Sequence, residues 1–529
     1  MINVRRMAAA CLLLSMVIAA LLWAWQEGQN RRIADPSPPG TSEKKIEEGG
    51  QKMTEEGELK FSSAPGYFVE PLALELSSED GEIRYTEDGS EPDESSLLYE
   101  GPIKIEDTVV IRARVIHRDG AMGPVHTSAY WAGEKHQLPI VSVTAEPEEL
   151  WSPQTGILRL SNGAKGGDRD DKRIAGYFQW YEPDGTLRYE AGAGIRVVGG
   201  ESREMPQKSI ALYAKKKYGP KRFEYPFFPD AADDRYDKLV LRNGGQDFAR
   251  THMLDGLVGL LLKETEIDVQ YYRPVVVYVN GEYYGMANLR DKISDKFLER
   301  RHNVKADKLD LLESSGTVKE GSREAFDTLM EQVEQLRLGQ SRDYSSLERK
   351  IDVDNLFDYM IAELFIANED WPDHNIRYWR PQGQEGKWRW IFYDADLSFL
   401  QADYPAAERI MSNKMSKYPS IRLFQVLMQE PSLRERFLRR FAFRLEDTFS
   451  VERVQSVIRE AGKELAPEMP RHAERWTDSV DRWEAAVTEL ELFAEQRTGY
   501  ILEELRRVFD MTSAEWETFG FADVEKKLQ

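Results

Sequence analysis

The stretch Asn368-Glu369-Asp370-Trp371-Pro372-Asp373-His374-Asn375 decides the fold of the second half of this chain. An apolar segment, 355–366, comes directly before it and predicts a buried helix that runs straight into this polar loop. Two aromatic-rich runs within 376–393 flank a turn-rich segment, which predicts a β-hairpin. The second run ends at Asp394-Ala395-Asp396, so we expect the hairpin to bring this acidic pair back beside the loop.

The order of polar groups in this region indicates a phosphoryl-transfer site. An Asp, an Asn at +5, a hairpin and a further Asp is the order found in a protein-kinase catalytic loop and its metal-binding Asp. In that interpretation Asp370 accepts a hydroxyl proton, and Asn375 and Asp394 offer oxygen ligands to a hard divalent cation. Asp396 is a further candidate ligand. In a purely structural interpretation the loop is a polar turn, and the acidic pair is a calcium site or a loop cap.

Lys208 is the candidate cation for positioning the phosphates. It begins the alternating run 208–213, a predicted half-buried strand that follows a glycine-bearing stretch ending at Gly200. Lys208 shares a strand face with Ile210 and Leu212, which we expect in the core. A lysine on an inward face is costly unless it is paired, which favours a functional role. The alternative is that its stem is buried while the ammonium reaches solvent.

The composition limits the classes of partner. With 529 residues the chain is long enough for two or three domains with a large core. Its formal net charge of −21 argues against a nucleic-acid partner, and any phosphate site needs locally placed cations or metal ions. The single cysteine, Cys11, lies in an apolar N-terminal run, which leaves the folded part without disulfides or cysteine metal ligands.

The N-terminus predicts a membrane anchor. After Arg5-Arg6, the mostly apolar stretch 7–25 is close to the ~20 residues that a bilayer-spanning helix needs. A cleaved signal peptide is the alternative, although the apolar run continues past the small residues Ala19-Ala20. We predict a single-pass membrane protein, with 1–26 as cytoplasmic N-terminus and anchor and the bulk outside the cytoplasm. The polar, proline-containing segment 27–59 predicts a disordered linker.

The next segment, 60–132, predicts a small β-sandwich, because short alternating strands are separated by turn dipeptides such as Asp88-Gly89. The runs 83–92 and 98–103 resemble the β-sandwich module named after the chitobiase C-terminal domain. That resemblance implies a spacer or a surface-binding module, and we favour the spacer. A glycan-acting enzyme is disfavoured, since the module shows no convincing carboxylate pair.

The segment 137–449 mixes strands and helices. Val275 to Ala287, with Asn280-Gly281 at its centre, predicts a hairpin with a tight primed turn. A helix is predicted from about Ala249 to Lys263, where leucines recur on one face. The remainder, 450–529, is charged with apolar residues at helical spacing, and predicts a helical C-terminal extension.

At this point the chain resembles the CotH family of spore-coat protein kinases, an atypical branch of the kinase-like fold. The resemblance runs from about Pro139 to Phe449 and is carried by five motifs: 202–209 (SREMPQKS), 239–243 (LVLRN), 279–285 (VNGEYYG), 368–375 and 393–399 (YDADLSF). It implies an α+β fold, with a kinase-like domain and a helical C-terminal part preceded here by the β-sandwich and the anchor.

The resemblance also implies roles for individual residues. Lys208 is the nucleotide-positioning cation, with Arg203 and Asp291 beside it, and Asp370 is the catalytic base. The metal ligands are Asn375, Asp394 and Asp396. Two positions depart from the family pattern: Gln207 stands where a second lysine is common, and Asp291 where glutamate is common.

We therefore expect transfer of the ATP γ-phosphate, with Mg²⁺ or Mn²⁺, to Ser or Thr of spore-coat or envelope proteins. The alternative is a catalytically inactive, kinase-like scaffold or adhesion protein of the bacterial cell or spore surface, because an outward-facing domain has no obvious supply of ATP.

Overall fold

The computed structural model describes residues 43–44, 59–133, 135–159, 172–477 and 479–528. Within these ranges, none of the helices combines the length and the apolar composition that crossing a bilayer requires. The predicted anchor at 7–25 lies outside the described residues, and so does nearly all of the predicted linker. The described chain is a mixed α and β structure with a β-sheet module at its N-terminal side, as predicted.

The N-terminal module is the predicted β-sandwich. One sheet has the strand order β3-β10-β9-β6-β7, the second has the order β1-β8-β4, and β2 pairs with β5. Side chains from the two larger sheets, such as Leu74 and Ile105 on one and Ile111 and Ala113 on the other, share one buried core. The strands are β1 (Glu43–Lys44), β2 (Lys60–Phe61), β3 (Gly66–Phe68), β4 (Leu72–Leu74), β5 (Leu76–Ser77), β6 (Glu82–Thr86), β7 (Leu97–Leu98), β8 (Ile103–Glu106), β9 (Val109–Ile116) and β10 (His126–Ala132).

The sandwich packs directly on the next domain. The ring of Trp131 lies 4.5 Å from that of Tyr278 and belongs to the large core that extends into the following domain. His136, in the connecting segment, places Nε2 2.9 Å from the Tyr278 hydroxyl and Nδ1 2.8 Å from a carboxylate oxygen of Glu468. One buried histidine thus joins the connector to both ends of the domain.

A closed seven-stranded barrel follows, in the order β11-β12-β13-β14-β17-β20-β19. Its first and last strands close it by pairing in parallel, whereas the other neighbours are antiparallel. The strands of this region are β11 (Ile140–Thr144), β12 (Ile174–Tyr181), β13 (Leu187–Val198), β14 (Ser209–Tyr213), β15 (Phe223–Glu224), β16 (Arg235–Tyr236), β17 (Lys238–Arg242), β18 (Asp268–Val269), β19 (Tyr272–Val279) and β20 (Glu282–Asp291).

The hairpin predicted around Asn280-Gly281 is confirmed as β19 and β20. Both turn residues have positive φ, 49° and 82°, which is the conformation that makes Asn-Gly favourable there. The predicted helix near Ala249 is shorter than expected and is preceded by turns, because it begins only at Leu254. The helices up to this point are α1 (Pro147–Trp151) and α2 (Leu254–Leu262).

A second, five-stranded sheet lies next to the barrel, in the order β18-β24-β23-β21-β22. It contains the predicted hairpin of the second half as β23 and β24, and the helix predicted at 355–366 as α6. The new strands are β21 (Leu309–Glu313), β22 (Thr317–Glu320), β23 (Arg377–Pro381) and β24 (Arg389–Phe392), and the helices are α3 (Asp295–His302), α4 (Glu324–Arg337), α5 (Ser345–Lys350) and α6 (Val353–Ile366).

The C-terminal part is helical, as predicted, and shares a core with α6. Apolar faces at a spacing of four, such as Phe437, Phe441 and Leu445, are buried. The helices are α7 (Ala406–Met411), α8 (Pro419–Leu427), α9 (Pro431–Glu446), α10 (Val451–Leu465), α11 (Met469–His472), α12 (Val480–Val508), α13 (Ser513–Thr518) and α14 (Phe521–Lys527).

One fully buried cation on α12 holds the end of α6. Arg497 is 0% exposed, and its guanidinium donates to the carbonyl oxygens of Leu364 (2.7 Å) and Phe365 (2.9 Å) in the last turn of α6. It also donates to the carbonyls of Ala402 and Tyr404. A cation at a helix C-terminus is favourable because the last carbonyls have no partner in the helix. The C-terminal helices therefore help to position the loop that begins at Ala367.

We predict that Arg497→Met lowers the free energy of unfolding by at least about 3 kcal/mol, because two buried and two half-buried carbonyls lose a charged donor. Arg507→Met provides the matched control, since Arg507 lies on the same helix and its ion pair with Glu408 is exposed. That variant should lose at most about 1 kcal/mol. Denaturant unfolding measures both, and equal losses would contradict the role given to Arg497.

Candidate active site

The loop after α6 brings the predicted base and the first predicted metal ligand together. Ala367 ends α6 in the left-handed conformation, and the chain then turns through the loop to β23. The Asn375 amide donates to the Asp370 carboxylate at 3.0 Å and to the backbone carbonyl of Asp394 at 3.4 Å. The hairpin therefore returns Asp394 to the loop. This is the juxtaposition expected from the sequence.

Asp370 remains accessible in this arrangement. Its side chain is 30% exposed, and the ring nitrogen Nδ1 of His374 lies 3.0 Å from its second carboxylate oxygen. Asn375 and Asp394 both have positive φ, 62° and 67°. Asn and Asp tolerate this conformation better than other side chains, and such backbone positions concentrate at functional sites.

The main feature that the sequence interpretation missed is Arg242, at the end of β17. Its Nη2 atom lies 2.5 Å from an oxygen of Asp394 and 2.5 Å from an oxygen of Asp396, and its Nη1 lies 2.6 Å from Asp255 on α2. One guanidinium therefore bridges the barrel, the helix α2 and the acidic pair. The motif LVLRN contains Arg242, but no local pattern marks Asp255, which is far from the acidic pair in sequence.

Asp255 is the buried centre of this cluster. It also pairs with Arg290 at 2.7 Å and accepts hydrogen bonds from the backbone N–H groups of Asp394 and Ala395. Although burial opposes ionisation, Arg290 and Arg242 keep the pKa of Asp255 below its usual value. Burial likewise opposes the charge on Arg242, but Asp394, Asp396 and Asp255 raise its pKa well above the usual range. Asp255 and Arg242 therefore both favour their charged forms.

The turn that follows β17 contacts the carboxylate of Asp396. The backbone N–H of Gln246 donates to Asp396 Oδ2 at 3.2 Å. Gly245, with φ of 59°, makes this approach possible, since a Cβ at that position would lie 1.7 Å from the same oxygen. The other oxygen, Oδ1, is buried and has no hydrogen-bond partner. Burial, followed by the repulsion of Asp394, raises the pKa of Asp396 despite the adjacent Arg242.

Lys208 lies immediately before β14 and is buried as predicted. Its ammonium donates to the backbone carbonyls of Arg203 (2.5 Å) and Met205 (2.8 Å). Burial lowers its pKa, an effect that Glu204 opposes. Asn243 links this loop to the acidic cluster, because its amide donates to the Gln207 carbonyl at 2.7 Å and accepts from the N–H of Gly245.

Asp291 does not join this group. It is 0% exposed at the end of β20, 3.6 Å from Arg300, and accepts a hydrogen bond from the N–H of Tyr271. Burial raises its pKa to about 6. The contacts of Asp291 are thus with the segment between the barrel and the second sheet, and those of Lys208 are with its own loop. The backbone carbonyl of Arg203 accepts the hydrogen bond from the Lys208 ammonium.

A second buried acid, Glu363 on α6, supports the loop from beneath. It is 1% exposed and accepts a hydrogen bond at 2.9 Å from the amide of Asn368, two residues before Asp370. Burial raises the pKa of Glu363 to about 8, with a further contribution from Asp370. At neutral pH Glu363 therefore favours its protonated form. An acid at an inward position of the helix was the available sequence signal.

The residues present fit a hard divalent cation. Two carboxylates and an amide, from Asp394, Asp396 and Asn375, are oxygen donors of the kind that Mg²⁺ and Mn²⁺ prefer. The unpartnered Oδ1 of Asp396 is an orphaned buried acceptor within this set. In the described ranges no group of three or more His, Cys, Asp or Glu side chains is arranged to hold a metal ion, so the candidate ligands here are two carboxylates and one amide.

These features define a class of protein. Arg242, a strand cation that pairs with an acid on the following helix, has a counterpart in protein kinases, where a strand lysine pairs with a helix glutamate. The chain belongs to the CotH kinase protein family, whose model matches residues 195–501, more than half of the sequence. The family is therefore confirmed, and the match extends beyond 449 into α12.

The N-terminal module matches the chitobiase/beta-hexosaminidase C-terminal domain over residues 63–127, which confirms the second resemblance. No curated protein matches the chain.

We predict that Arg242→Met lowers the free energy of unfolding by about 3–5 kcal/mol, because Asp255, Asp394 and Asp396 lose their shared cation. Adding Asp396→Asn to that variant should recover part of the loss, since one buried charge disappears. Denaturant unfolding of the single and double variants measures the coupling. Strictly additive losses would contradict the bridging role.

A pH-dependent prediction follows from Glu363. The unfolded side chain ionises near its ordinary pKa of 4.5, whereas the folded one keeps its proton up to about pH 8. The folded state then binds more protons, so stability falls as pH rises between these values, by up to about 1.4 kcal/mol per pH unit. Glu363→Gln should remove this fall, and Glu331→Gln, an exposed control, should keep it. Parallel stability curves for the two variants would contradict the assignment.

Proposed function

We propose that the protein is an ATP- and metal-dependent kinase that phosphorylates Ser or Thr hydroxyls of envelope or spore-coat proteins. The observation that carries this proposal is the hydrogen-bonded convergence of Asp370, Asn375 and Asp394. Membership of the CotH kinase protein family supports a kinase-related function in general terms.

Asp370 serves as the base in this proposal. One of its oxygens accepts from Asn375 and the other lies beside His374, which fixes the orientation of the carboxylate in a partly open position. An acceptor hydroxyl that enters from solvent can then donate its proton to this carboxylate as the oxygen attacks phosphorus. Glu363 and Asn368 keep the loop in place beneath it.

Arg242 is the cation that reaches the metal-binding end of the site, because it contacts both Asp394 and Asp396. Asp255 and Arg290 fix its position. In the same proposal Lys208, which the family resemblance assigns to the nucleotide phosphates, organises the loop 199–208 through the carbonyls of Arg203 and Met205. The assignment of Lys208 to the phosphates remains a prediction.

Asn375, Asp394 and Asp396 would hold the divalent cation, and Arg242 would share their negative charge. When bound, the cation supplies neutralisation of the charge that develops on the transferred phosphoryl group. The protein residues position the acceptor, take up the proton and keep the acidic cluster compact. Positioning and electrostatic stabilisation of this kind account for most of the catalysis of phosphoryl transfer.

A non-catalytic scaffold is the second candidate, favoured by the direct contact between Arg242 and the two acids. In that case the guanidinium permanently occupies the position of the metal. Thermal unfolding in ATP with Mg²⁺ separates the candidates, since ligand binding to the folded state raises Tm. An unchanged Tm at millimolar ATP would favour the scaffold.

We predict that full-length protein with γ-labelled ATP and Mg²⁺ labels itself or a serine-rich protein. Asp370→Asn should lower this labelling at least about 100-fold, because the general base is lost. Glu385→Gln, in the exposed turn of the adjacent hairpin, should label like the wild type. If Asp370→Asn labels as fast as the wild type, Asp370 is not the base.

A further inference from the structure

A cluster of cations lies between the barrel and the second sheet, away from the acidic end of the site. Lys238 begins β17, the strand that ends at Arg242, and the two side chains share a strand face because residues 239 and 241 are buried. Four residues of strand separate them by roughly 13 Å. The cluster is therefore separate from the acidic end of the site, although both lie along the same face of β17.

Two aromatic rings organise the cations. Tyr213 pairs with Lys238 across β14 and β17. The Arg173 guanidinium lies 3.8 Å and the Lys238 ammonium 4.6 Å from the centre of the Tyr213 ring. From the second sheet, Arg377 lies 4.5 Å from the centre of the Tyr393 ring, next to Asp394. Lys292 follows β20, one position beyond the residue paired with Leu239.

Positive charge exceeds negative charge within this cluster. Glu313 is the carboxylate that pairs with Arg377 and Lys319. In the part of the chain that the structure describes, no ion pair joins Lys238, Lys292 or Arg173 to an acid, and Arg173 Nε is buried without a hydrogen-bond partner. In a chain with a net charge of −21, an unneutralised group of cations is a local exception.

The cations also destabilise one another. Burial, together with Arg196, Arg173 and Arg377, lowers the pKa of Lys238 to about 8. Burial and the neighbouring Lys238 lower the pKa of Lys292 in the same way, and Arg377 and Lys319 add to the effect. Lysines whose pKa values are lowered by burial and by neighbouring cations are found preferentially at functional sites.

We infer that Arg173, Lys238, Lys292 and Arg377 form a binding subsite for phosphate groups, distinct from Lys208 and from the metal-binding end of the site at Arg242 and Asp394. The guanidinium of Arg377 supplies charged donors from the second sheet, and the two ammonium groups supply them from the barrel. The ligand is either the polyphosphate of a nucleotide or a phosphorylated side chain of the acceptor protein. Both present the same chemistry to these cations.

Binding of inorganic tripolyphosphate to the full-length protein, without added metal, tests the subsite by calorimetry. The double variant Lys238→Gln/Lys292→Gln should bind at least about tenfold more weakly than the wild type. Lys215→Gln/Lys216→Gln removes the same charge from an exposed loop and should bind like the wild type. Equal weakening by both double variants, or no binding by the wild type, would overturn the inference.

Two further measurements complete the test. The Tm of the unliganded Lys238→Gln/Lys292→Gln variant should not fall, since like-charge repulsion is relieved, so weaker binding does not reflect unfolding. Affinities for ATP and for a phosphoserine peptide then distinguish the sources: loss of ATP binding identifies the nucleotide, and loss of peptide binding alone identifies the acceptor. If neither changes, the subsite is excluded.

This binding test is independent of the proposed phosphoryl transfer. Asp370→Asn should retain wild-type affinity for tripolyphosphate even if labelling is lost. A protein that fails to transfer phosphate but shows the Lys238 and Lys292 dependence would reject the kinase proposal alone. The converse result would reject the subsite alone.

Discussion

The bridge from Arg242 to Asp255, Asp394 and Asp396 is the interaction on which the rest of the site depends. It joins a barrel strand, the helix that follows and the end of the hairpin of the second sheet. Because buried charges are tolerated only when they are paired, each of these elements is fixed by the position of the others. Asn375 contacts both Asp370 and Asp394, so the position of the Asp370 loop depends on the same bridge.

Local patterns predicted the local structure. Asn280-Gly281 predicted the β19–β20 hairpin, because its turn needs positive φ at both positions, and the apolar run before Asn368 predicted α6. The closure of the barrel by parallel pairing of β11 with β19 was not predicted, since the paired residues are more than a hundred positions apart. Asp255 was missed for the same reason: its importance arises from partners that only the fold brings near.

The cations near the site contrast with the negative net charge of the whole chain. A net charge of −21 repels polyanions, so phosphate chemistry requires cations placed locally. Arg242 and Arg290 are neutralised by buried acids, whereas Lys238 and Lys292 are not paired within the described ranges. The two ends of β17 thus differ in electrostatic character.

The Arg497 contact with the end of α6 also sets an order of events during synthesis. Residues 365 and 497 are 132 positions apart, so at about 5–20 residues per second the ribosome needs roughly 7–26 s to make the intervening chain. Until then, the last carbonyls of α6 in the nascent chain lack their buried donor. The barrel can close before this point, but the Asp370 loop reaches its final form only after α12 has been made.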